Sequence, residues 1–174
     1  MRNICTPSLI AAGAMMLAGC ATPSDAPSNA PSIALMGSSG QQIGTVRMWE
    51  TPGAVSFRIE ANGLTVGRKG LHVHAVGRCD APSFTSAGPH WNPAARKHGL
   101  ANPQGPHAGD LPNVPVAANG TLRETLVLSG ASLAALRDAD GSALVLHAGE
   151  DDNVTDPSGN SGDRIACAVL SPAG

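Results

Sequence analysis

Tyrosine is absent from this chain, and aromatic side chains of any kind make up only 2% of its 174 residues. Charge is scarce as well. Lysine, arginine, aspartate and glutamate together reach 14%, with a formal net charge of -2, which excludes nucleic-acid binding through a basic surface. Helical periodicity is nearly missing: only 131–137, ASLAALR, carries a weak one, and it reads as a short turn or loop. The apolar run at 8–18, SLIAAGAMMLA, is too short to span a bilayer comfortably. Cysteine is limited to 4 positions.

What is present instead is 21 Gly and 14 Pro, the composition of a chain of turns and strands, long enough for one domain with its own core. The N-terminus has the layout of an export signal. A weakly positive start precedes the apolar run, and Leu17-Ala18-Gly19-Cys20 follows it, as in a bacterial lipoprotein signal. The expectation is a signal peptide over 1–19, a lipidated Cys20, and a flexible Pro/Ser-rich tether over 20–31. Ala21 lacks acidic character, which favours the outer membrane over the inner one, with the domain facing the periplasm. Losing Arg2 with the signal takes the charge from -2 to -2 - 1 = -3. Cys79 and Cys167 then remain as a pair in an oxidising compartment, where a disulfide is the natural reading. Closing so long a loop contributes about 4–5 kcal/mol in the chain-entropy treatment.

The folded domain is expected over 32–174. Val55, Phe57 and Ile59 alternate with Ser56, Arg58 and Glu60, and Ile165, Cys167 and Val169 alternate with Arg164, Ala166 and Ala168. The segments 43–49, 71–74, 121–128 and 142–147 are also strand-like, with turn signals at Ser38-Ser39-Gly40 and Pro52-Gly53. Short strands with almost no helix predict an antiparallel β-sandwich or barrel. Two stretches, 77–113 and 148–163, lack any convincing element, and long loops of this kind tend to carry function.

All 6 histidines fall between residues 72 and 147: His72, His74, His90, His98, His107 and His147. Imidazole is the commonest protein ligand for zinc and copper. On a strand, His72 and His74 point to one face, with Leu71 and Val73 toward the core, so both rings can reach one ion. His147, ending another strand, can join them. His90, His98, His107 and Asp110 offer three nitrogens and a carboxylate oxygen, a shell suited to structural zinc.

These segments resemble the copper/zinc superoxide dismutase family. GLHVHAVGRCD at 70–80, GPHWNP at 88–93, KHG at 97–99, HAGDLPN at 107–113, LHAGEDD at 146–152 and TDPSGNSGDRIAC at 155–167 match its motifs in order. The resemblance covers essentially all of 32–174 and points to a bacterial, exported member. It implies an eight-stranded antiparallel Greek-key β-barrel, an Ig-like sandwich with two long functional loops. It implies one copper per subunit on His72, His74, His90 and His147, and one zinc on His90, His98, His107 and Asp110, with His90 bridging as an imidazolate. It implies that Asp151 links His72 to His98, that Arg164 holds the anion beside copper, and that Cys79 and Cys167 form the intrasubunit disulfide. Leu71, Trp91 and Ala168-Val169-Leu170 depart from commoner residues without removing a ligand.

The implied activity is superoxide dismutation through alternating Cu(II) and Cu(I), with His90 and Arg164 as the catalytic groups. Superoxide is the implied substrate, the lipid anchor the implied membrane partner, and a homodimer stays open. Because the mature chain is negative, any attraction of superoxide must be local. Arg78, Arg96 and Lys97 could add to that field or be ordinary surface charge. The rival is a dismutase-like protein that binds copper and zinc in the periplasm without turnover.

Overall fold

A computed structural model describes residues 26–174. The proposed signal peptide, Cys20 and the first part of the tether lie outside the described residues. Eight strands follow one another: β1 (Ser32–Gly37), β2 (Gln42–Thr51), β3 (Ala54–Ala61), β4 (Gly67–His74), β5 (Asp110–Val116), β6 (Leu122–Ser129), β7 (Ser142–His147) and β8 (Arg164–Ser171). Among the described residues the only helical turns are two 3-10 turns, Thr85–Ala87 and Ala135–Arg137. The strands form one antiparallel sheet in the order β5-β4-β7-β8-β1-β2-β3-β6. Its two end strands, β5 and β6, approach each other, which curls the sheet into a nearly closed barrel. The crossings from β3 to β4 and from β6 to β7 give the Greek-key topology.

Period-two alternation builds the interior. Val46 and Met48, Val55, Phe57 and Ile59, Leu71 and Val73, and Leu144 and Leu146 all enter one buried cluster. With so few rings available, β8 contributes Ala166, Ala168 and Leu170 from its inner face. Pro52-Gly53 closes the β2–β3 hairpin, with Gly53 in the left-handed region at φ 72.

The strand alternation misses two elements. The stretch 77–113 does end in a strand, β5, which begins at Asp110 and pairs it with His72. Pro112 and Pro115 interrupt the alternation there, and a strand at a sheet edge tolerates proline because its outer amides need no partner. The register also slips between Lys69 and Leu71, so a strict period-two template fails. β1 escapes notice because its inward residues are few: Leu35 is in the core and Ile33 packs against it. The 131–137 segment is a turn as expected, closed by the 3-10 turn Ala135–Arg137.

A second, smaller cluster lies on the outside of β7 and β8. Phe84 and Ala87 from the long loop pack there on Ala143, Val145 and Cys167. The disulfide Cys79–Cys167, with Cα atoms 5.7 Å apart, fastens the loop to β8 at the same place. An otherwise irregular segment is thereby laid against the barrel wall beside the histidines.

Candidate metal centre

The outer face of β4 presents His72 and His74, both fully buried under the loops, while Leu71 and Val73 fill the barrel. His147 ends β7 just past a register shift at Leu146/His147, which re-aims its ring. His90 arrives from the long loop. The Trp91 amide donates to the Val73 carbonyl at 2.8 Å, and the Trp91 side chain is anchored in the barrel core. A further bridge pairs His90 with His74.

Four rings thus converge, each with a ring nitrogen within 4.8 Å of the others. The far side of three of these rings is engaged. His74 Nδ1 donates to the Gly88 carbonyl at 2.8 Å, His147 Nδ1 to the Gly162 carbonyl at 3.1 Å, and His72 Nε2 to Asp151 Oδ2 at 2.6 Å. Those bonds set the tautomers, so the lone pairs sit on His72 Nδ1, His74 Nε2 and His147 Nε2. These three nitrogens, together with His90 Nε2, are buried and have no hydrogen-bond partner. Buried polar atoms are rarely left so. Four orphaned acceptors facing one another are the arrangement a soft or borderline cation satisfies. Burial, reinforced by neighbouring rings, lowers His72 to about 4, His74 to about 2 and His147 to about 3, so all three rings are neutral near pH 7, the state in which imidazole can ligate a metal.

On its other side, His90 joins the second set. Its Nδ1 is 2.9 Å from Asp110 Oδ1 and 3.2 Å from His107 Nδ1. Asp110 Oδ1 is also 3.2 Å from His98 Nδ1 and 3.4 Å from His107 Nδ1. Ligands at about 2.0–2.1 Å on a tetrahedral zinc ion stand about 3.3 Å from one another, close to these separations. The donor set therefore fits zinc. Asp110 is held in place through Oδ2, which accepts from the Gly99 and His107 amides at 2.9 and 3.0 Å. Despite burial, the bonds from His90 and His98 keep its carboxyl well below the usual range. Burial works against charge on His98, but Asp110 and Asp151 outweigh it and raise that ring to about 9.

Asp151 connects the two sets. Its Oδ2 takes His72 and its Oδ1 takes His98 Nε2 at 3.0 Å. Gly159, at φ +61, packs so closely that a Cβ there would overlap the Asp151 carboxylate.

Three supporting residues were not identified from sequence. Asn113 pairs reciprocally with the Asp151 backbone at 2.8 and 2.9 Å. Asp156 accepts from the His98 amide at 2.6 Å, and buried Lys69 donates to the Ala148 carbonyl at 2.5 Å. Asn113 and Asp156 lie inside the HAGDLPN and TDPSGNSGDRIAC segments, Lys69 just before GLHVHAVGRCD, and all three act across long sequence separations.

An open cleft of about 910 Å³ leads to His90 and His147, with Arg164 on its wall. Arg164 is half-buried and donates to the Phe84 and Gly88 carbonyls, each at 2.8 Å, so its guanidinium is fixed beside the rings. Of the three other cations considered, Lys97 is paired with Asp156 at 2.8 Å and Arg96 bonds the Gly105 carbonyl. Neither these two nor Arg78 lines the cleft.

Residues 42–170 match the family described as copper/zinc superoxide dismutase (SODC). Superoxide dismutase [Cu-Zn] 1 of Aquifex aeolicus is 41% identical over 137 residues, covering 75% of this chain and 81% of that protein. The superoxide dismutase-like protein YojM of Bacillus subtilis is 37% identical, covering 90% of this chain and 91% of its own. Among solved structures, the Cu/Zn superoxide dismutase from Brucella abortus superposes with a TM-score of 0.69 at 29% identity, over 82% of this chain and 99% of that one.

Proposed function

Since the chain belongs to the copper/zinc superoxide dismutase family, we propose that it is a working dismutase, converting two superoxide anions and two protons to dioxygen and hydrogen peroxide. The observation that carries this reading is the set of four orphaned imidazole nitrogens beside a fixed guanidinium at the base of an open cleft. His72, His74, His90 and His147 would hold copper, and His90, His98, His107 and Asp110 would hold zinc. Copper bound there would supply a reversible one-electron couple, and zinc a redox-inert charge.

The chain's own groups do the rest. Arg164 binds the anion, and its two carbonyl partners keep it aimed without reorganisation. His90 faces one donor set through Nδ1 and the other through Nε2, so a proton held at Nε2 sits at the base of the cleft. Asp151 keeps His72 and His98 in their ligating tautomers.

The test is superoxide decay catalysed by the domain after copper and zinc loading, with metal content measured on the same sample. Fast decay with one copper and one zinc per chain supports the reading. Replacing His147 with alanine should abolish decay and leave zinc bound; near-normal activity in that variant would break the copper assignment. The rival, a non-catalytic copper/zinc-binding protein, gains from the likeness to a dismutase-like relative. It requires both metals bound and no turnover.

Export completes the proposal. Residues 1–19 act as the signal, Cys20 carries lipid, 20–31 form the tether, and the domain over 32–174 works in the periplasm on the outer membrane. Acyl labelling of the wild type but not of a Cys20→Ala variant, with fractionation of both, tests it.

A further inference from the structure

One wall of the cleft is not accounted for by dismutation. The turn between β6 and β7 contributes Asp138 and Asp140, both exposed. Asp138 Oδ1 accepts from the Asp140 amide at 3.1 Å. Neither carboxylate is in an ion pair among the described residues. Arg164 is the one Lys or Arg in the cleft lining, and Arg137, next to the pair in the chain, does not line it. Two carboxylates and one guanidinium give the lining a fixed charge of +1 - 2 = -1.

The same cleft contains His90 and His147, only 7% and 3% exposed, whose Nε2 atoms have no partner. It is therefore the approach for two species of opposite sign, a superoxide anion and a copper cation. We propose that Asp138 and Asp140 form an anionic lip that admits copper cations and retards superoxide. The anion half rests on the dismutase reading; the cation half needs only the orphaned nitrogens. A unit charge about 10 Å from an ion's path in water changes the local concentration of a monovalent ion about twofold and of a divalent one about fourfold, so at low ionic strength the pair is worth roughly fourfold for superoxide and roughly sixteenfold for cupric ion. Salt suppresses the effect, because the screening length at about 0.1 M is only about 10 Å.

The variant is Asp138→Asn with Asp140→Asn in the otherwise unchanged chain; asparagine keeps the Oδ1 acceptor of the turn. Two rates are read. One is uptake of aqueous cupric ion by zinc-loaded, copper-free protein, followed by visible absorbance in stopped flow. The other is superoxide decay by protein carrying both metals. At low ionic strength copper uptake should slow about sixteenfold and decay should quicken about fourfold, and both differences should vanish in high salt. Glu124→Gln, which removes a charge from β6 outside the cleft lining, should change neither rate. Rates that move together, or that stay put, overturn the lip, since a conformational effect has no reason to favour one sign of charge. Slower copper uptake with no superoxide decay in either protein supports the lip and overturns the dismutase reading.

Discussion

Replacing Asp151 with asparagine isolates the link between the two candidate metal sites. The carboxylate accepts from His72 Nε2 at 2.6 Å and His98 Nε2 at 3.0 Å, and it is 2% exposed. An amide of the same shape can accept one ring N–H through its oxygen, but it presents N–H to the other. One ring must then change tautomer or lose its partner, and either outcome disturbs the nitrogen meant for the metal. Losing such an outer partner typically costs 10–100-fold in metal affinity. Because the rings belong to different donor sets, both metals should be affected, by about 10- to 100-fold each. In the metal-free protein, losing one charge-assisted bond should cost about 1.5–3 kcal/mol. Competition against a chromophoric chelator reads zinc and copper affinity separately, and urea unfolding of the metal-free form reads the stability change. Affinities for both metals within threefold of wild type would refute the link. Loss of copper affinity alone would show that His98 is oriented by other contacts.

Three further outcomes are expected. Cys79→Ser with Cys167→Ser should destabilise the metal-free domain by up to about 4–5 kcal/mol, read from the urea midpoint, because the bridge closes a separation of 88 residues. Gly159→Ala should lower the melting temperature markedly, since it places a Cβ against the Asp151 carboxylate at a left-handed position. The metal-free protein should lose stability as pH falls from about 6.5 toward 4. His72, His74 and His147 have folded values below 6.5, so the unfolded chain binds protons first across that window. His98, raised to about 9, works in the opposite sense, its contribution fading as pH rises toward that value. Stability that rises monotonically on acidification would contradict this sign.

The convergence of the histidines was legible because its logic is local. His72 and His74 two apart on a strand, with Leu71 and Val73 between and before them, can be sorted by the period of a strand alone. The cysteine pair, and the convergence of His90, His98 and His107 on Asp110, followed from residue type and count. β5 was not legible, because Pro112 and Pro115 suppress a pattern that only its place at the sheet edge makes tolerable. Asn113, Asp156 and Lys69 were missed for a different reason. Each supports the site through a backbone group remote in sequence, and nothing in a residue's own neighbourhood signals such a contact. The cleft charge shows the same limit: Arg78, Arg96 and Lys97 share a loop with the ligands yet stay off its wall, while Asp138 and Asp140 reach it from another connection.

The Gly88 carbonyl accepts from both His74 Nδ1 and Arg164, each at 2.8 Å. A carbonyl oxygen has two lone pairs, and here both are committed. The spacing between the His74 imidazole and the Arg164 guanidinium is consequently gauged by a single main-chain atom, which no side-chain substitution can replace. Exchanging side chains around Arg164 can alter its surroundings, but the gauge stays the same length. Changing that spacing would require re-routing the loop that carries residue 88, by insertion or deletion between Cys79 and His90, so loop length rather than residue identity sets the distance between ring and guanidinium.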